Sequence, residues 1–419
     1  MAGMKDSGIR WIGQIPSNWK IVRVKDAFIR KKAKAKQEDP IILSLARSGV
    51  KIRDISNNEG QLAENYSDYN PVAVNDLLLN PMDLISGDNC NISRVEGVIS
   101  PAYVNLKYKD GVNPEFYNFY FKYQYWCKAF FAHGKGVSFE NRWTLSYDTL
   151  ERFSIVLPPI EEQNKIAEFL VKKCGEIDNL YSTIEKQIET LEEYKKSIIT
   201  EAVTKGLDPD VEMKDSGIEW VGMIPKHWNV TKFKYICSVK TNLVNVKKYQ
   251  EYPQISPDNI EKDSGILLNY STVAEAGVIS DNHLFFKGQI LYSKIRPKLN
   301  KATIAPFNGL CSADMYPIET NENTMFVLYM ILSQYFLNQV SLVTEDRVKM
   351  PKINQEELGV IKIVLPDNIN EQEKIVLYLH QKCQDISKAI EEKKEQLETL
   401  EQYKKSIIYE YVTGKKEVK

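Results

Sequence analysis

The sequence predicts two similar domains joined by two long helices that pair antiparallel as a coiled coil within one chain, related by a pseudo-twofold axis. Three observations predict it: an internal repeat at constant offset, coiled-coil spacing inside the repeated segment, and only loose similarity in the stretches between repeats. At 419 residues the chain exceeds one ordinary hydrophobic core and suits two or more domains.

An internal repeat organises the chain. Met4-Lys5-Asp6-Ser7-Gly8-Ile9 recurs as Met213-Lys214-Asp215-Ser216-Gly217-Ile218, and the match runs on through Trp11/Trp220 to Trp19/Trp228. Over these 16 paired positions 11 are identical, at an offset of 209. Residues 191–204 match 400–413 at the same offset, 11 of 14 identical, around Tyr194-Lys195-Lys196-Ser197-Ile198-Ile199 and Tyr403-Lys404-Lys405-Ser406-Ile407-Ile408. The entry to this block also repeats, as Leu157-Pro158 with Glu162-Gln163 and Leu365-Pro366 with Glu371-Gln372. The chain is read as a tandem duplication. Between the repeats, 20–156 and 230–364 align loosely, so their surfaces differ.

The shared blocks read as helices. Leu170, Cys174, Ile177, Tyr181, Ile184, Ile188, Leu191, Ile198 and Ala202 follow alternating 4-3 spacing, broken by Lys195. The second copy runs Leu379, Cys383, Ile386, Ile390, Leu397, Leu400, Ile407 and Tyr411, with breaks at Lys393 and Lys404. Prolines at 158–159 and 366 end the strand-like segments 153–157 and 360–365, and Asn370 with Glu373 suggests a capping box for the second helix. Each helix of roughly 40 residues would extend about 60 Å. Two seams in one chain most simply pair with each other, and antiparallel pairing sends the two domains to opposite ends. The segment 4–19 matches the linker after the first helix, which predicts that it sits against the end of the second and makes the arrangement nearly circular. The domains are then 1–156 and 213–364, with the helical segments at 157–212 and 365–419.

Composition excludes several classes. No apolar run approaches the roughly 20 residues that span a bilayer, and the first residues lack a signal-peptide hydrophobic stretch. The six cysteines, at 90, 127, 174, 237, 311 and 383, form no Cys-x-x-Cys pair. They suit reduced, buried thiols in a cytoplasmic protein better than a disulfide frame or zinc knuckle. A net charge of -1 does not advertise nucleic acid, although local basic patches permit it.

No catalytic constellation emerges, so the reading is of a non-enzyme. Asn80-Pro81-Met82-Asp83 lacks the second proline and the aromatic of the amino-methyltransferase motif, and no glycine-rich cofactor loop precedes it. His133-Gly134-Lys135-Gly136 lacks the first glycine and the Ser/Thr of a phosphate loop and reads as a mobile loop. His133, His227, His283 and His380 have no metal-ligand spacing or evident carboxylate partner, so no metal is expected. Glu161-Glu162, Glu192-Glu193 and Glu391-Glu392 read as solvated helix faces or dipole complements.

Residue types suited to DNA cluster at equivalent places in the two domains. Lys294, Arg296, Lys298 and Lys301 follow a strand-like run at 289–292, and Arg347, Lys349 and Lys352 surround Met350-Pro351. The first domain offers Asn80, Asp83, Asn89, Asn91 and Arg94, then Lys135, Asn141, Arg142 and Trp143. Arginine and lysine suit guanine edges or phosphates, and asparagine suits adenine, although each is equally readable as a solvated surface group. Arg30-Lys31-Lys32 with Lys34 and Lys36 is a further phosphate-loop candidate or a solvated linker. Repetition of Trp11, Trp19, Trp220 and Trp228 favours packing at helix junctions over base stacking.

The order of these blocks resembles type I restriction-modification specificity subunits. A Leu-Pro-Pro-x-Glu-Glu-Gln-x-x-Ile run leads into a long helix ending near Lys-Lys-Ser-Ile-Ile, duplicated, with a divergent domain before each copy. The second copy departs slightly, with one proline and one extra residue in Leu365-Pro366-Asp367-Asn368-Ile369-Asn370. The resemblance implies α/β (mixed α+β) target recognition domains, each reading half of a bipartite, asymmetric site on double-stranded DNA. It implies helices that set spacing and dock two methyltransferase subunits, with restriction/translocase subunits in the full complex. S-adenosylmethionine, ATP and Mg would belong to those partners and no cofactor to this chain. The rival readings are an adapter that holds two proteins with a helical calliper and no nucleic acid, and a self-sufficient methyltransferase.

Overall fold

The computed structural model describes residues 3–36, 40–46, 49–54, 66–84, 90–136, 143–344 and 351–418. The chain divides into two compact units, Met1–Ile184 with Glu395–Lys419, and Glu185–Lys394.

In the first unit an antiparallel pair, Met4–Asp6 with Gln14–Pro16, opens the chain. A second pair joins Lys20–Arg23 to Ser154–Leu157. A four-stranded sheet follows the order Phe28–Lys31, Val104–Tyr108, Leu77–Leu79, Cys90–Ile92, all antiparallel. The helix Pro114–Trp126 packs on it with Phe116, Tyr117, Tyr120 and Phe121 buried. Asn113 caps this helix, accepting a hydrogen bond from the Phe116 amide at 3.0 Å, and proline fills the first turn where no donor is needed.

The second unit repeats this order of strands. Met213–Asp215 pairs with Met223–Pro225, and Asn229–Lys232 with Lys362–Leu365. The four-stranded sheet runs Cys237–Val239, Met315–Thr320, Ile290–Ser293, Ala302–Ile304. A five-stranded sheet adds Leu243–Val244, Asn282–Phe285, Gly309–Cys311, Pro253–Ile255 and Ser271–Thr272, in which Pro253–Ile255 lies parallel to Gly309–Cys311. Helix Thr324–Leu332 is buried from Phe326 to Leu332, with Asn323 capping the Met325 and Phe326 amides. No single helix among the described residues is long and apolar enough to cross a membrane.

The long helices are Ile160–Lys205 and Ile369–Val412. In the first unit Ile166, Leu170, Cys174 and Ile177 share a core with Ile407, Ile408 and Val412. Phe169 meets Tyr411 and Asp178 meets Lys404, so the two segments run antiparallel. In the second unit Ile198, Ile199, Ala202 and Val203 pack with Ile375, Leu379, Cys383, Ile386 and Ile390. The lysines that interrupt the apolar spacing reach across the seam. Lys195 donates to the Ser387 hydroxyl at 2.9 Å and Lys393 to Gln187 at 2.7 Å, while Lys404 pairs with Asp178 at 2.5 Å.

The Glu-Gln pair at each helix start has a structural task. Glu162 accepts from the Trp19 indole at 2.7 Å, and Gln163 accepts from the Asn113 amide at 2.8 Å while donating to the Pro158 carbonyl. Glu371 accepts from Trp228 at 2.9 Å, and Gln372 accepts from the Asn323 amide at 3.0 Å. Glu162 is therefore an indole acceptor and not part of a solvated face, and its place in the first turn keeps it a complement to the helix dipole. His227 also gains the carboxylate partner expected to be missing, with Nε2 2.9 Å from Glu371.

Other local expectations change. The second helix is capped by Asn368, whose side chain accepts from the Asn370 amide, because Ile369 already lies inside the helix. Residues Gln355–Val360 form a short helix capped by Asn354, which delays the following strand to Lys362. Trp19 and Trp228 are buried, and Trp11 is held by Gln124 at 2.8 Å against His133 and Phe153. Trp220 instead remains 41% exposed. The end of the second helix meets the N-terminal pair: the Lys415 ammonium donates to the Ile12 and Gln14 carbonyls, and Gly414 lies against Pro16 with positive φ.

Candidate nucleic-acid interface

The second unit builds its basic patch from the strand outward. Ile290–Ser293 is wholly buried, so the polar run begins where it leaves the sheet. The backbone of this loop is pinned on both sides. The Lys294 amide donates to the Asp314 carbonyl and the Lys294 carbonyl accepts from the Ile353 amide. Ile295 bridges to Lys352, and the Arg296 amide donates to the Pro351 carbonyl at 2.9 Å. A short 3-10 turn, Pro297–Leu299, follows, and buried Asn300 ties it to the Leu332 carbonyl at 3.2 Å.

These bonds bring Lys294, Arg296 and Lys352 to one place. Lys294 lies 5.1 Å from the centre of the Tyr316 ring, and Lys352 pairs with Asp314 at 2.9 Å. Arg296 and Lys298 are exposed. Lys301 turns inward, donating to the Pro257 carbonyl at 2.8 Å, and its side chain is only 16% exposed. Its fixed ammonium is a loop fastener. His283 lies nearby, buried, and burial followed by the Lys294 charge holds its imidazole below the usual histidine range.

The first unit makes the same connection with different residues. Leu77–Leu79 ends at Asn80, whose side chain accepts from the Met82 amide at 2.9 Å and whose carbonyl accepts from Tyr125. Asn80 thus shapes a turn of its own backbone. The Leu145 amide donates to the Pro81 carbonyl, as the Ile353 amide does to that of Lys294. Lys135 pairs with Thr144 through two backbone hydrogen bonds and Gly134 packs beneath Trp143, so the segment expected to be mobile is fastened at 133–136.

Asn91 and Arg94 lie elsewhere in the unit, on a cleft of about 590 Å³. Lys122 and Trp126 of the domain and Lys404 and Lys405 of the second long helix line it with them. Arg94 pairs with Glu115, Lys404 with Asp178 and Lys405 with Glu401. Nothing in the sequence marks the helix lysines or Lys122 as neighbours of Asn91, because only the fold brings together residues so distant in the chain. Nor does any local pattern mark the Tyr316 ring beneath Lys294.

Arg30 and Lys31 belong to a strand. Arg30 stacks over Tyr147 and Lys31 pairs at 2.5 Å with buried Asp76, so these two are held in the sheet, while Lys32, Lys34 and Lys36 follow it in irregular backbone, with Lys34 paired to Asp68 at 2.8 Å. Asn89, Asn141, Arg142, Arg347 and Lys349 lie outside the described residues. The six cysteines are free, five of them buried, and burial pushes the Cys90 and Cys237 thiols up to about 12. No group of three or more metal-ligating side chains occurs among the described residues.

Residues 225–399 match the family described as the type I restriction modification DNA specificity domain. The chain is 31% identical over 243 residues to the type I restriction enzyme EcoDI specificity subunit of Escherichia coli, covering 54% of each chain. It is 26% identical over 438 aligned residues to the type I restriction enzyme MjaVIII specificity subunit of Methanocaldococcus jannaschii, covering 97% of this chain and 95% of that one. A chain solved in a study of complex assembly and conformational transition of the type I R-M system superposes with a TM-score of 0.70. It is 14% identical, over 95% of this chain and 98% of that one.

Proposed function

The chain belongs to the family of type I restriction-modification specificity subunits, and from that premise we propose that each of its units reads one half of a bipartite DNA site. As a specificity subunit it is not itself an enzyme. The observation that carries the reading is the pinned loop of the second unit, which presents Arg296 and Lys298 beside Lys294 and Lys352 on a fixed backbone. Fixed backbone matters because sequence is read by donors and acceptors held against base edges, whereas phosphate contacts carry no sequence information.

In this proposal the target recognition domains are the sheet-bearing parts of the two units, and the site is asymmetric because their loops differ. The long helices act as an antiparallel intramolecular coiled coil that sets spacing and docks two methyltransferase subunits, with restriction/translocase subunits completing the complex. The cross-seam lysine contacts within each unit support that pairing. S-adenosylmethionine, ATP and Mg belong to those partners.

The test is binding of the full chain, assembled with its methyltransferase subunits, to a pool of random duplexes at several salt concentrations. The expected result is enrichment of a two-part motif, with affinity falling steeply as salt rises. Binding that is insensitive to salt and enriches no motif would overturn DNA reading and favour the protein-adapter alternative.

A further inference from the structure

Among the non-glycine residues with positive φ, Arg296 is the only one that precedes proline in the described chain. Its φ is 45° and ψ 54°. This left-handed conformation is disfavoured for a residue with a Cβ, and a following proline biases its predecessor away from helical backbone. Asn300, at the other end of the same short turn, has the same dihedrals, but asparagine tolerates them. Glycine would meet the backbone requirement at 296 with less strain, yet the chain has arginine there.

The side chain is exposed and no described residue holds it, so packing among the described residues does not account for the choice. Lysine is the common cation of this region. Beyond Arg152 the chain contains only two arginines, Arg296 and Arg347. What arginine offers over lysine is a planar fork that donates two parallel hydrogen bonds, a geometry matched by the O6 and N7 acceptors of guanine in the major groove. Loop residues placed at a strained backbone are positioned for a purpose when the surrounding bonds over-determine them, and here three backbone hydrogen bonds to Asp314, Pro351 and Ile353 and a buried asparagine do so.

We propose that Arg296 reads a guanine edge in the half-site of the second unit, while Lys298, without a planar fork, lies against phosphate. The proposal rests on DNA reading as set out above and assigns the discriminating contact within it. Its consequence is a division of labour: loss of the fork changes which sequence is preferred, whereas loss of a neighbouring ammonium weakens all sequences alike.

The full chain with its methyltransferase subunits would be selected on a random duplex pool as wild type, Arg296→Gly, Arg296→Lys and Lys298→Ala. The wild type should enrich a motif containing a guanine whose preference, roughly 10- to 100-fold, disappears in both Arg296 variants. Arg296→Gly should melt no lower than wild type, which separates lost reading from lost folding. Lys298→Ala should keep the motif and bind every sequence more weakly. If both Arg296 variants enrich the wild-type motif with the guanine preference intact, the assignment is overturned. If the wild type enriches no motif, DNA reading itself falls and takes the assignment with it.

Discussion

Trp228 shows how much one acceptor carries. Its ring is fully buried and its indole N–H has Glu371 as acceptor at 2.9 Å. Removing that acceptor strands a buried donor, which costs about 1–3 kcal/mol. Glu371→Ala should therefore lower stability by that amount in urea denaturation, whereas Glu371→Gln, which keeps an acceptor oxygen, should lose less. Equal losses for both variants would show that the charge, through His227, matters more than the hydrogen bond. The sequence signalled both tryptophans and both glutamates through the 209-residue offset, but not their union. The partners stand 143 residues apart, and no local pattern encodes such a contact. Trp220 illustrates the opposite limit. Its repeat with Trp11 suggested shared packing, but the burial of Trp11 depends on Gln124, His133 and Phe153 of the first unit's own domain. Identical residues keep identical roles only where their neighbours also repeat.

Among the elements, the long helices were the most legible, because 4-3 apolar spacing sustained without proline has few other solutions. What the spacing could not convey was the task of its interruptions. Lys195 with Ser387 and Lys404 with Asp178 are the same contact made twice, each residue 209 positions from its counterpart. Polar groups at seam positions contribute little net stability but specify alignment. Burial places the binding energy elsewhere: Leu379 and Leu170 are fully buried, whereas Tyr181, Ile184, Ile188, Leu191, Leu397 and Leu400 are half-buried. Leu379→Ala should then cost about 2–5 kcal/mol in chemical denaturation followed by helical circular dichroism. Lys404→Met should shift stability by no more than about 1 kcal/mol in either direction, since Asp178 remains solvated. A loss at Lys404 as large as that at Leu379 would make the lysine a stabilising element and refute its role in alignment.

Across the whole molecule, duplication and divergence were both visible in the sequence, and they make different demands on function. Repeated segments build the helix junctions, down to the Glu-Gln pair at each helix start. Divergent segments build the loops that leave the sheets, and there the two units differ in kind. The second unit offers Lys294, Arg296 and Lys298 on a loop braced by Pro351 and Ile353. The first closes the equivalent loop with an asparagine turn and places Asn91 and Arg94 on a separate cleft. Which exposed polar groups meet DNA was not legible, because lysine and asparagine serve equally well as solvated surface and as contacts; only the fold distinguishes a braced residue such as Arg296 from a fastener such as Lys301. If the units read independently, substitutions in one should alter one half of the selected site only. Asn91→Ala with Arg94→Ala should degrade one half of the enriched motif and leave the other half and the spacing unchanged, and Arg296→Gly should do the converse. Selection from random duplexes, with each variant assembled into its complex, reads both outcomes directly. A variant that degraded both halves equally would mean that the units do not divide the site between them, and that the divergence of their loops serves some purpose other than an asymmetric target.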